Sequence, residues 1–190
     1  VLQTKSDPKT HWQGRLVKHD KEIDRYPQES RFILRPKYEE QKREATHMFA
    51  RSWRERGWCI VVDELFYVYD YLGIKAEINR NMTQGRSEGI TMVNGLQRPV
   101  AISRFALSQS THVIAFRQDG RDAVTLAEAV ASKDLAKDYA QLQPFEFIWY
   151  HRPTRRMWKG SLSRDGKTLI PSGSARAKDT PERAQVALSH

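Results

Sequence analysis

The chain has 190 residues, 39% of them hydrophobic, with five Trp, seven Tyr and seven Phe, which supports a globular core and excludes a disordered chain. Charged residues reach 29% and the net charge is +9, a balance that favours a polyanionic partner such as nucleic acid. The single cysteine, Cys59, excludes an internal disulfide framework and a thiolate zinc cluster, and no apolar run approaches the roughly 18 residues that span a bilayer.

The chain opens on Val1-Leu-Gln-Thr-Lys, without Met or a signal peptide, and reads as starting inside a structural element. Residues 1–5 read as the end of a strand followed by a Ser-Asp-Pro turn, and residues 6–30 as polar and irregular. Residues 31–34 form a short buried strand stopped by Pro36. Residues 38–56 have helical spacing, with Ala45, Met48, Phe49 and Trp53 on one face, and Gly57 ends the helix. Residues 58–63 form a continuous apolar strand, as expected where both faces of a parallel sheet are covered. Cys59 lies in that run and reads as a buried structural thiol in a reducing, cytoplasmic compartment. Residues 66–71 read as packing beneath the next helix, at 74–85. A strand at 89–93 follows, broken by Gln97-Arg-Pro99. A helix at 103–110, a strand at 112–116 and a helix at 123–140 complete an alternation that predicts a parallel α/β sheet with right-handed crossovers.

After Pro144 the pattern changes. Residues 145–150 and 156–159 read as paired strands, and 161–170 as a hairpin turning at Asp165-Gly166. Residues 171–190 read as a loose basic tail. From His151 onward nine Lys/Arg stand against three Asp/Glu, so this region carries +6 of the total charge. Trp149, Tyr150 and Trp158, interleaved with Arg152, Arg155 and Arg156, match the residue types that stack on and neutralise nucleic acid. The favoured reading is a small hairpin packing its aromatics on the domain, with the arginines as a weaker DNA-contact candidate. The six histidines show no metal-ligand spacing, and there are no internal repeats.

Asp63 and Glu64 end the apolar strand Ile60-Val-Val. In open α/β sheets ligands bind beyond the carboxyl ends of the strands. An aspartate there can hold magnesium, and the adjacent glutamate can polarise a water for attack on a γ-phosphate. The alternative is a solvated pair at a strand end.

Four segments in this order resemble the FtsK/HerA superfamily of DNA translocases: Cys59-Ile-Val-Val-Asp-Glu-Leu65, Gln84-Gly-Arg-Ser-Glu-Gly-Ile-Thr-Met92, Gly95-Leu-Gln-Arg-Pro99 and His112-Val-Ile-Ala-Phe-Arg117. The resemblance covers residues 58–125 well and the segments at 1–5 and 38–56 more loosely. It implies a three-layer parallel sheet of P-loop NTPase type, incomplete at the amino terminus. Residues 1–143 would then be a partial ATPase core, 144–170 a β-hairpin appendage and 171–190 a flexible tail. It also implies ATP and Mg2+ as cofactors, DNA as partner and a homo-oligomeric ring. Asp63 would bind the metal as the Walker B aspartate, Glu64 would activate water, and Gln97 would sense the γ-phosphate, although Gly-Leu precedes it where the family has Ala-Thr. Arg86 and Arg117 are candidates to meet the nucleotide of a neighbouring subunit, while Arg98 reads as structural.

Hydrolysis also needs a phosphate cradle, Gly-x-x-x-x-Gly-Lys-Ser/Thr between a strand and a helix. The 190 residues contain none. The nearest imitation, 160–168, has one residue too many and runs into Leu-Ile-Pro, so it reads as a hairpin turn. The simplest expectation is a missing amino-terminal segment, and weak nucleotide affinity for this chain alone. Two rival readings are a non-catalytic DNA-binding or assembly module that retains the fold, and a metal-dependent nuclease, which lacks a third carboxylate and a lysine.

Overall fold

Four short strands and one bridging segment near the amino terminus run side by side in one direction. In the computed structural model, which describes residues 1–4, 13–102, 107–130, 132, 134–166 and 168–171, β1 (Arg15–Val17) pairs in parallel with β2 (Phe32–Leu34). β3 (Cys59–Val62) pairs in parallel with β4 (Thr91–Asn94). Leu2, fully buried, is bridged in parallel to both Leu34 and Val62. Its N–H donates to the Val61 carbonyl (2.7 Å), and the Gln3 N–H donates to Leu34 (3.0 Å). Parallel pairing of chain-distant segments is what the unbroken apolar run of β3 leads one to expect. The Ser-Asp-Pro turn, most of the helix expected at 103–110, and the tail from 172 lie outside the described residues.

The chain forms two compact units, Val1–Gln109 and Ser110–His190. In the first, α1 (Gln41–Glu55) buries Ala45, Met48 and Phe49, three of the four positions expected on its apolar face; Trp53 is only half-buried. The helix ends where Arg56 and Gly57 turn to positive φ (60° and 66°), a conformation glycine takes without cost. α2 (Lys75–Gln84) packs on α1 through Ser52, whose hydroxyl lies 3.5 Å from the buried Asn81 amide oxygen. Residues 6–30, expected to be irregular, contain β1 and a 3-10 segment, Asp20–Arg25. That segment is held by Arg51 of α1. The guanidinium, 5% exposed, donates Nε to both Asp20 oxygens (3.0 Å each) and also reaches Asp24 (2.7 Å) and Glu55 (2.8 Å). Burial pushes the Asp20 carboxyl above its ordinary value, and Arg51 opposes that rise.

In the second unit, β5 (His112–Ala115), β6 (Glu146–His151), β7 (Arg156–Leu162) and β8 (Leu169–Pro171) form one antiparallel sheet in that order. β5 was expected to join the parallel core; it pairs antiparallel with β6 instead. The helix expected over 123–140 is two helices, α3 (Gly120–Ala129) and α4 (Leu135–Gln141), because the backbone leaves helical geometry at Val130. Their apolar faces meet one face of the sheet around Leu126, Val130, Leu135, Tyr139, Ile148 and Tyr150. The β7–β8 hairpin turns at Asp165-Gly166, with Gly166 at φ 69° and the Ser163 N–H bonded to the Thr168 carbonyl (2.9 Å). The imitation phosphate loop is thus strand and turn. No helix among the described residues is long and apolar enough to cross a membrane.

Tyr139 is fully buried and its hydroxyl has no hydrogen-bond partner among the described residues. Burial, with Asp138 and Tyr150 nearby, pushes its pKa from 10.0 up to about 12. The unfolded chain therefore loses this proton first, and stability falls as pH rises from 10 through 12. Tyr139→Phe is expected to raise stability by about 1 kcal/mol at neutral pH, since an unpaired buried polar atom is removed. It should also flatten the alkaline decline by about 2 kcal/mol. Urea midpoints measured from pH 7 to 12 check both.

Candidate active site at the carboxyl end of β3

The acidic pair sits where two parallel strands end together. Ile60 and Val62 are buried, so β3 is fixed from within the unit, and the chain emerges at a half-buried Asp63 and a Glu64 that is 9% exposed. The Asp63 N–H is directed at the Leu2 carbonyl (3.4 Å). On the other side the Gly95 N–H donates to Val62 O (2.8 Å), and the Leu65 N–H donates to Gly95 O (2.9 Å). These bonds clamp the Asp63–Glu64 turn between its neighbours. Glu64 O then accepts from the Val68 N–H (3.3 Å), and the chain turns into a π-helix, Tyr67–Tyr71. Val68 and Tyr69 are buried there, as expected of packing residues, while Tyr71 is exposed, stacked on Tyr67 and hydroxyl-bonded to Tyr38.

Gly95 is a residue the sequence reading passed over except as part of a motif. A Cβ at this position would lie 2.2 Å from the Asp63 carbonyl oxygen, inside any real contact. Only glycine lets β4 close on the acidic turn. Asn94, paired with Val62 in the register, was also missed. Its Oδ1 is buried and has no hydrogen-bond partner among the described residues. A polar residue closing an apolar strand beside an acidic pair is the signal that could have found it.

The other expected site residues are distributed unevenly. Gln97 follows Gly95 by two positions and is exposed. Arg86 lies in a 3-10 turn, Gly85–Glu88, that precedes β4. β4 runs parallel to β3, so Arg86 lies before the amino end of the strands and Asp63 beyond the carboxyl end, with the four residues of β4, about 13 Å, between those ends. Arg117 is exposed and belongs to the second unit. Cys59, expected to be buried, is exposed, because it is the first residue of β3 and precedes the covered part of the strand.

Magnesium retains several waters and takes one or two protein carboxylates beside substrate phosphates. Asp63 fits that demand, since its carboxylate is at the mouth of the site and takes no protein partner among the described residues. No group of three His, Cys, Asp or Glu among the described residues could hold a metal by protein ligands alone. The pair is therefore suited to a cation that arrives with a phosphate ligand.

The architecture is that of the P-loop ATPase fold, and solved structures share it. The genome packaging NTPase B204 from Sulfolobus turreted icosahedral virus 2, in complex with ATP-gammaS, matches with a TM-score of 0.57 and 12% identity over 77% of this chain and 73% of that one. The same protein in complex with AMP matches at 0.58 and 13%, over 80% and 75%. B204 from Sulfolobus turreted icosahedral virus, described as a DNA-packaging ATPase, matches at 0.51 and 13%, over 69% and 66%. At these identities the likeness is one of fold. No protein-family model matches the chain, and no curated protein is significantly similar to it in sequence.

Proposed function

We propose that this chain is part of an ATP-driven motor that moves or packages DNA, and that Asp63 and Glu64 are half of its hydrolytic site. The observation that carries the reading is the clamped acidic turn at the carboxyl end of β3, on a fold shared with a packaging NTPase. Asp63 would hold magnesium, which when bound neutralises developing charge on the phosphates. Glu64 accepts a hydrogen bond from a water and turns it toward the γ-phosphate. Asn94 and Gln97 supply amides on the neighbouring strand and the loop that follows it, and the unpaired Asn94 Oδ1 can accept a further hydrogen bond there. Arg86 lies at the opposite end of the strands from Asp63. It suits a neighbouring subunit's nucleotide in a cytoplasmic ring, a role also open to Arg117.

The motor reading requires a phosphate cradle that the 190 residues do not contain. A second reading is a DNA-binding or assembly module that keeps the fold without turnover. The coding sequence upstream of Val1 separates them: a phosphate-binding loop there supports the motor, and a start codon at residue 1 supports the module. In the cradle-bearing protein, Glu64→Gln is expected to lower ATP turnover by about 10²–10⁴-fold while leaving nucleotide bound. Unchanged turnover would remove Glu64 from the mechanism. The nuclease reading is disfavoured by the lack of a three-ligand cluster among the described residues.

A further inference from the structure

The second unit's sheet covers one face with helices and leaves the other with an unusual composition. Strand alternation sends Ile148 and Tyr150 to the helices and Trp149 and His151 to the opposite side. The pairing register then aligns two rows across β5, β6 and β7. One row is Ile114, Trp149 and Trp158; the other is His112, His151 and Arg156. The rows are about 7 Å apart, two residues along each strand. Of the aromatics expected to pack on the domain, Tyr150 is buried against the helices, and Trp149 and Trp158 are half-buried on the other face.

The rings on this face are held by one another. Trp149 and Trp158 have centroids 4.8 Å apart, and His112 stacks on His151 at 4.7 Å with planes 18° apart. The Trp149 indole N–H donates to His112 Nδ1 (3.1 Å), which fixes the indole's orientation. Ile114, at the end of the aromatic row, is 57% exposed. The four strands contribute one carboxylate, Glu146, and the alternation puts it on the helix-covered face, where it pairs with Lys159 (2.9 Å). This face therefore presents a half-buried tryptophan pair, with buried Phe147 at its edge, beside a row of imidazoles and a guanidinium, and no strand carboxylate. Arg152, by contrast, is structural: it donates to the carbonyls of Ser110 and Ala129 (2.9 Å each).

We propose that this face is a platform for single-stranded nucleic acid, with bases on the Trp149–Trp158 row and phosphates over the Arg156 row. The +9 chain and a face without a strand carboxylate favour a polyanion, and stacked bases with a phosphate backbone match both rows. A single strand is the better match than a duplex, whose bases are already stacked on each other and offer the rings no free face. The proposal does not rest on the ATPase reading, since it involves neither Asp63 nor Glu64.

The test is titration of the full chain, without nucleotide, with oligothymidylate of about twelve nucleotides, read by tryptophan fluorescence. Quenching and a steep loss of affinity with salt are expected. Ile114→Glu, at an exposed position that leaves folding intact, and Trp158→Ala should each weaken binding about tenfold, and Trp158→Phe should retain it. Parallel titrations with oligouridylate decide between DNA and RNA. Equal affinity in parent, Ile114→Glu and Trp158→Ala overturns the proposal. So does binding of duplex or polyphosphate as tight as that of the single strand. So would a concentration-dependent doubling of mass abolished by Ile114→Glu, which would assign the face to a second copy of the chain.

Discussion

Gly95→Ala is expected to lower the stability of the first unit by about 2–4 kcal/mol and to displace the Asp63–Glu64 turn. The added Cβ would stand 2.2 Å from the Asp63 carbonyl oxygen and 3.2 Å from its carbonyl carbon. Both are backbone atoms, so no side chain can swing aside. Relief requires β3 and β4 to part, which sacrifices the bond from Gly95 N–H to Val62 O or that from Leu65 N–H to Gly95 O. Overpacking of this kind costs about 1–3 kcal/mol, and a buried hydrogen bond adds about 1 kcal/mol. Gly57→Ala is the control. It imposes a positive φ of 66° on a side chain, with no atom within 4 Å to obstruct it. Its cost is therefore conformational alone, about 1 kcal/mol. Comparing urea midpoints of the two variants separates steric exclusion at the site from ordinary glycine strain. A Gly95→Ala protein as stable as its parent would show that the acidic turn is not clamped.

Arg51→Ala is expected to cost about 3–5 kcal/mol, because it leaves Asp20 buried without a counter-charge. Asp20 is 10% exposed at its side chain, whereas Asp24 is 65% exposed and contributes little. The penalty should shrink in acid. Without Arg51 the folded-state pKa of Asp20, already raised by burial, rises further above its unfolded value. Stability of the variant is then greatest below the unfolded pKa and is lost as pH rises through the folded one. A double variant, Arg51→Met with Asp20→Leu, should recover most of the loss, since paired removal leaves no orphaned charge. Thermal unfolding of the three proteins at pH 4 and pH 7 tests this; a pH-independent loss in Arg51→Ala would place the effect in packing rather than charge.

These two positions also mark what could and could not be read from the chain. β3, α1 and the Asp165-Gly166 hairpin follow from local pattern: an unbroken apolar run, a helical stripe and a turn dipeptide. The acidic pair is legible for the same reason, as it ends the run. β1 and the 3-10 segment at Asp20–Arg25 are not, because β1 is held by parallel pairing with β2 and the 3-10 segment by an arginine 31 positions away, and neither carries a periodicity of its own. β5 is an apolar strand in either sheet, and its four residues do not encode whether the partner runs parallel or antiparallel. Gly95 is ordinary in sequence, and its role appears only when β4 is laid against Asp63. The two sides of β6 were open to reading, since adjacent residues in a strand face opposite ways, yet Trp149 and Tyr150 were grouped by chemistry and so placed together.

The bridging of Leu2 to both Leu34 and Val62 has a kinetic side. Val1 donates to the Phe32 carbonyl, 31 positions along the chain, and the link to β3 spans a longer loop still. Every such contact must bear loop-closure entropy before it gains any burial. The β6–β7 pair of the second unit closes over a turn of a few residues. Refolding of this protein is therefore expected to begin with the carboxyl-terminal hairpin, and the strand that carries the acidic pair should be among the last to find its neighbours.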